Sequence, residues 1–364
     1  MVFPFMIIYY AQHFGEVWSG ILTTVNVAMG SIAGFYGGHL SDKLGRRKLL
    51  MFTTTIQIFS FSCMAYANYL VEWPVVTLLC SSLNAILFGF SAPASQAMTL
   101  DATDEKDRKF VYGLQYWLHN LAFLCGSLVG GLLFLEYKFL LMMMMAIGAV
   151  LSWCLLKFFI KELYAGTEPK HNMVKNYLAI LKDRRFVFFS LGAAFLGSVE
   201  FQVRNYLAVK CAAEGSLFNY TLLISENTLL VVLLGIVSSY LIKNTNHRKV
   251  LYIGGSVLIV AMSLMAGFSH CLWILILLMA IATMGELVMV PSEQALMADM
   301  IPSDARSSYM AIGNVFCRLG IMFGSLSVTI GHFLTHWQMV GLFMSVGFGG
   351  LLLITLSYKQ KVME

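Results

Sequence analysis

Gly37-Gly38-His39-Leu40-Ser41-Asp42-Lys43-Leu44-Gly45-Arg46-Arg47-Lys48 is a charged tract between two long apolar runs, 16–40 and 49–69. It reads as a hairpin joining two membrane-crossing helices. A hydrocarbon core about 30 Å thick takes about 20 helical residues and offers no water to unpaired backbone groups. Composition points the same way. The chain is 59% hydrophobic and 12% charged, against a charged fraction of about 25% in soluble domains. The formal net charge of +5 sits in short loops, so it marks topology and not a nucleic-acid surface.

Working outward, apolar runs predict spans at 16–40, 49–69, 74–98, 110–135, 138–160, 186–209, 217–242, 249–268, 271–297, 308–332 and 336–358. That is eleven full helices of an all-α integral membrane protein. Met1–Gln12 is apolar but too short to cross, and reads as the second half of a truncated first helix. The chain is then expected to begin in mid-membrane, with roughly 10–30 further residues in an intact relative. Of the 24 Lys and Arg, 20 lie in or beside alternate loops, at 43–48, 106–109, 157–185, 243–249, Arg306, Lys359 and Lys361. The positive-inside rule puts those loops, the central linker and the C-terminus in the cytoplasm of a multi-pass cell-membrane protein.

The seven cysteines form no Cys-x-x-Cys and read as small core residues. Cys211 and Cys271 lie near the outer face, but without geometry they imply no bond. There is no Gly-x-x-x-x-Gly-Lys-Ser/Thr phosphate loop, which argues against an ATP-driven pump on this chain. No cofactor and no metal is expected, and the chain is not read as an enzyme.

The longest polar segment, 161–185, separates 1–160 from 186–364. A repeat supports that division. Pro93-Ala-Ser-Gln96-Ala-Met-Thr-Leu-Asp101 and Pro291-Ser-Glu-Gln294-Ala-Leu-Met-Ala-Asp299 agree at proline, glutamine, alanine and aspartate with a constant offset of 198, which Arg108 and Arg306 keep. Parallel repeats of six helices are the plan of transporters whose site lies near the midplane.

The opening tract resembles the loop 2–3 signature of the major facilitator superfamily, through Gly38, Asp42, Lys43, Gly45, Arg46, Arg47 and Lys48. The resemblance implies a major facilitator fold of two six-helix bundles, the first helix incomplete. It also implies a conformational latch built from Gly38, Asp42, Gly45, Arg46 and Arg47, with Asp101 as carboxylate partner. The alternative is a positive-inside anchor without a coupling role. Gly34 and Gly38 would let a neighbouring helix approach, and Gly45 suits a tight turn. A second resemblance rests on Leu100-Asp101-Ala102, Arg108-Lys109, Tyr116-Trp117, Asn120, Gly285-Glu286 and Pro291-Ser292. It is to the family of the lactococcal secondary multidrug transporter, and implies proton-driven export of lipophilic, often cationic compounds.

Charges inside spans cost about 2.5–3.5 kcal/mol on insertion scales and mark a pathway. Glu286 lies 13 residues from Asp299, about 20 Å along a helix and so near mid-membrane. Desolvation penalises the bare carboxylate there. Either a proton or a cationic substrate relieves the penalty, and competition between them gives antiport; a structural ion pair is the alternative. Glu200 and Arg204, four apart, can share a helix face, and Arg204 can equally pair with Glu226 across the next hairpin. Arg318 can neutralise Glu286 or Glu293, or bind an anionic group. In the first half Gln115 stands where the resembling family has an acid, and His119 is a second titratable candidate. Gly126-Ser-Leu-Val-Gly130-Gly131 keeps the antiporter glycines without their proline. Tyr9, Tyr10, Tyr116, Trp117 and Phe201 either line a cavity or are core.

The leading expectation is a proton-coupled exporter that alternates access, a monomer whose partners are a small-molecule substrate, protons and the lipid bilayer. A proton-coupled importer of a peptide or sugar, and a truncated non-transporting fragment, are the rivals.

Overall fold

The computed structural model describes residues 3–103, 108–134, 136–162, 180–242, 245–268, 271–301 and 306–359. Every regular element among these residues is helical: α1 (Phe3–Phe14), α2 (Glu16–Leu44), α3 (Arg46–Tyr66), α4 (Pro74–Asp101), α5 (Arg108–Leu133), α6 (Lys138–Phe158), α7 (Arg184–Gln202), a π-helical turn (Val203–Leu207), α8 (Ala208–Ala213), α9 (Leu217–Ile242), α10 (His247–Gly267), α11 (Leu272–Ala298), α12 (Arg306–Phe333) and α13 (His336–Lys359). Ten spans among the described residues are long and apolar enough to cross a membrane, the longest running without a break from Arg184 to Ala213. The chain is an all-α, multi-pass membrane protein. α1 has 12 residues and is shorter than a span.

The opening tract proves to be almost entirely helical. α2 runs on through Leu44 and α3 starts at Arg46, so the whole turn is Gly45, at φ 94. Gly15, at φ 86, does the same between α1 and α2. Only glycine adopts this left-handed conformation without a Cβ penalty. Elsewhere a side chain sets the helix start. Asn246 Oδ1 accepts from the Arg248 and Lys249 amides at 3.1 and 3.2 Å, capping α10. Asp183 caps α7 through the Phe186 amide at 3.1 Å, and its other oxygen accepts from Tyr309 of α12 at 3.0 Å. Each such cap contributes about 1 kcal/mol.

The repeated prolines lie inside helices, Pro93 in α4 and Pro291 in α11. A proline removes the donor for the carbonyl four residues earlier, and in hydrocarbon that carbonyl must find another partner. Ser238 of α9 supplies it for Leu287, its hydroxyl donating to the freed oxygen at 2.8 Å. The carbonyl freed by Pro93 belongs to Gly89, and it lies against Gly34 of α2.

Contacts divide the chain into two compact units, Met1–His13 with Val25–His171, and Phe14–Thr24 with Asn172–Glu364. Most of the polar segment at 161–185 lies outside the described residues. In the first unit α3 packs on α4 and α6, and α2 meets α4 where Cβ atoms are missing. A Cβ on Gly30 would stand 2.9 Å from Ala85 O, and one on Gly37 2.6 Å from Phe90 O. Gly38, the signature glycine, has room, its nearest neighbour being Pro93 Cβ at 3.9 Å. The close approach therefore rests on Gly30, Gly34, Gly37 and Gly89. α1 is buried on every side from Phe5 to Tyr10. Its tyrosines are core groups satisfied by hydrogen bonds, Tyr9 to Asn68 at 3.0 Å and Tyr10 to Ser81. In the second unit α7 packs on α12 and α13, α10 on α11 and α13, and α9 on α11. Gly254 faces the Gly285 carbonyl and Gly192 that of Gly350, the small-residue packing that helices use in lipid.

Candidate functional site

Of the ionisable side chains expected in the second half, Glu200 of α7, Arg204 of the π turn and Glu286 and Glu293 of α11 lie within electrostatic reach of Glu200 or of one another. Directly after Glu200 the helix widens into the π turn Val203–Leu207, which adds a residue to one turn and shifts the phase of everything beyond it. Tyr220 of α9 supports that turn by donating to the Arg204 carbonyl at 3.2 Å. The Arg204 guanidinium lies over the Phe201 ring, 5.1 Å from its centre, and within electrostatic reach of both Glu200 and Glu286.

Glu286 of α11 is held from α9. The Asn227 amide donates to its Oε2 at 2.8 Å and to Thr283 Oγ1 at 3.0 Å. Thr283 and Glu286, three apart, share the helix face that Asn227 meets. Glu293, two turns further along α11, acts on Glu200. Cys317 of α12 feels Glu293, Glu200 and its neighbour Arg318. Glu200 thus feels Glu286, Glu293 and Arg204, Arg318 lies next to Cys317 on α12, and all five charged side chains are half-buried. Among the described residues no three metal-ligating side chains converge.

Glu226 stands apart. The charges of the cluster do not act on it, and Arg204 sides with Glu200 and Glu286. The reason is helical phase. Asn227 faces α11, so its predecessor Glu226 points about 100° away around α9. Asn227 and the π turn were not singled out from the sequence, since a lone asparagine in an apolar run and a one-residue widening leave no periodic signal.

In the first unit Gln115 donates to Thr99 Oγ1 at 3.1 Å, and both it and His119 are exposed. The described arginines of the opening tract have specific partners. Arg46 donates to the Ala97 carbonyl near the end of α4 at 2.7 Å. Arg47 caps the end of α6, donating to the Leu156 and Lys157 carbonyls at 2.9 and 2.8 Å. Its backbone amide donates to Glu162 Oε2 at 2.7 Å. Helix C-termini present carbonyls without internal donors, and a guanidinium satisfies two at once. Glu162 is thus a described carboxylate partner of the tract; the side chains of Asp42 and Asp101 lie outside the described residues.

The family model of the Major Facilitator Superfamily matches residues 1–325 and 212–361. The chain belongs to the Major Facilitator Superfamily. As such it is a secondary transporter of small molecules and not an enzyme. This facilitator is 28% identical over 363 residues to the Na(+), Li(+), K(+)/H(+) antiporter of Planococcus maritimus, covering 90% of this chain and 84% of that one. It is 25% identical over 332 residues to the multidrug resistance protein MdtH of Baumannia cicadellinicola, covering 89% and 77%. Among solved structures it superposes on a peptide transporter, POT, with TM-score 0.76 and 15% identity, covering 98% of this chain and 90% of that one. On the nucleoside transporter NupG the TM-score is 0.75 at 15% identity, covering 98% and 94%. At such identities the two structures speak to the fold alone.

Proposed function

We propose that this facilitator is a proton-coupled antiporter of the cell membrane that exports lipophilic, often cationic small molecules by alternating access between two six-helix bundles, 1–160 and 186–364. The observation that supports the reading is that Glu200 lies within electrostatic reach of Glu286 and Glu293, with Arg204 acting on both Glu200 and Glu286, within one unit. A carboxylate in a low-dielectric site is stabilised by a proton or by a cation. Exchanging one for the other leaves the charge of the site unchanged, so neither exchange step exposes a bare buried charge. Glu286 is the exchanging acid in this reading, Asn227 orients it, and Arg204 with Arg318 limits how many of the three acids need a proton. Asp42, Arg46 and Arg47 act as the conformational latch, and the monomer is the working form.

The Planococcus relative supports a second reading, in which the exchanged cation is an alkali-metal ion. Everted vesicles distinguish the two. A lipophilic cationic dye and Na+, K+ or Li+ are offered in turn under an imposed proton gradient, with pH recovery as the readout. Recovery with dye but not with alkali ions supports the first reading, and the reverse supports the second. Glu286→Gln is expected to abolish either exchange at normal expression. Full proton-dependent exchange in that variant would remove Glu286 from the mechanism.

A further inference from the structure

Outside this site, two thiols face each other across the α3–α4 pair. Two hydrogen-bonded rungs fix the register of that antiparallel pair near the loop that joins the helices. In the turn just after α3, Asn68 donates to Thr77 of α4 at 2.8 Å. Deeper in, Asn84 of α4 donates to Ser60 of α3 at 3.0 Å, and Ser60 donates to the Cys80 carbonyl at 3.1 Å. Counting inward from both rungs brings Cys80 level with Met64 and Ala65, one residue beyond Cys63. Cys63 is three residues from Ser60 and so lies on the same face of α3. The Cys80 thiol lies within electrostatic reach of Cys63, with Ser60 beside it.

Both cysteines are free. Cys80 is 9% exposed, while Cys63 is exposed on a helix of membrane length. A lipophilic reagent therefore meets Cys63 first and finds a second sulfur directly behind it. Paired thiols select soft acceptors, and the second bond is formed at a high effective concentration.

We propose that Cys63 and Cys80 form a two-thiol site for soft thiophilic ligands, of which a trivalent arsenical is the type. With phenylarsine oxide the step is a condensation. The arsenic–oxygen bond breaks, two arsenic–sulfur bonds form, and the oxygen leaves as water with the two thiol protons. Arsenic stays trivalent, so no oxidant is required. The product ties the end of α3 to the start of α4, near the loop that joins them.

The test uses the full chain in detergent or vesicles. Its seven thiols are counted with a maleimide before and after phenylarsine oxide, and peptide mapping locates the blocked pair. The wild type is expected to lose two maleimide-reactive thiols, Cys63 and Cys80, restored by ethanedithiol and not by an equal concentration of a monothiol. Cys63→Ser and Cys80→Ser are each expected to lose none at this pair while keeping basal exchange. Cys63→Ala replaces the serine variant if the latter is unstable, and the wild-type mapping needs no variant. An unchanged thiol count, or blockage that maps to other cysteines and persists in both variants, overturns the site.

Discussion

At the residue scale, one amide decides how Glu286 is presented. Asn227 donates to the carboxylate and to Thr283, and a hydrogen bond to a charged group is worth about 1.5–3 kcal/mol. Asn227→Ala is accordingly expected to lower proton-dependent exchange about tenfold or more without lowering the amount of folded protein. Fluorescence-detected size exclusion beside the vesicle assay separates the two effects. Asn227→Asp places a second acid against Glu286 and is expected to be no better.

Glu72 offers a stability test outside the spans. It accepts from Lys138 at 2.7 Å and sits 2.6 Å from His13 Nε2. Burial works against its charge, but Lys138 and then His13 outweigh burial and hold the carboxyl below the usual range. A group whose pKa falls on folding stabilises the fold above its unfolded pKa, and that stability is lost as pH drops through the folded value. Glu72 is 36% exposed, so the effect is screened to about 1 kcal/mol or less. Glu72→Gln should melt slightly below wild type at neutral pH, and the difference should begin to shrink as pH drops below about 4.3 and vanish below the lower folded value. A difference that does not change as pH falls from neutral into the acid range would assign the effect to packing.

At the scale of elements, the two internal prolines show what a helix in lipid requires. Pro291 leaves the Leu287 carbonyl without a donor, and Ser238 of the neighbouring helix provides one. Ser238→Ala is expected to lower thermal stability by about 1–2 kcal/mol, the cost of a buried unsatisfied carbonyl. Thermal melts in detergent read this, and Ser238→Thr, which keeps the hydroxyl, should recover most of it. The sequence located both prolines and their offset but not the rescuing serine, which lies 49 residues away from its acceptor in the chain.

Elements also show where one-dimensional reading stops. The apolar runs anticipated α9 at 217–242 and most other spans within a few residues, because burial in lipid needs only length and hydropathy. The turn at Gly45 was legible as a glycine in a charged tract. That it occupies one residue, with Arg46 and Arg47 already helical and capping α4 and α6, was not, since those carbonyls are supplied by distant helices. Gly38 likewise matched a signature, while the close contact falls on Gly37, a difference of one residue in helical phase.

For the whole molecule, the alternation of charged loops makes a topological prediction. Cysteines placed at Ser216, between α8 and α9, and at Thr245, between α9 and α10, in a cysteine-free background should label from opposite sides of the membrane. An impermeant maleimide applied to intact cells is expected to reach Ser216→Cys and not Thr245→Cys. The reverse pattern would invert the chain, and with it the proposed direction of export.

Hydropathy, charge asymmetry and the 198-residue repeat by themselves determined a helical membrane protein with two related halves, because these depend on composition along the chain and on the solvent it must match, and the resemblance of the 38–48 tract added the facilitator family. The sequence also named Glu200, Arg204, Glu286 and Arg318, since a charge in an apolar run is costly wherever it points. Only the tertiary structure decided which of them meet. The π turn and the helical phase of α9 bring Glu286, Asn227 and Arg204 together and leave Glu226 aside. A rotation of 100° per residue cannot be read from spacing once neighbouring helices are free to choose the face they bury.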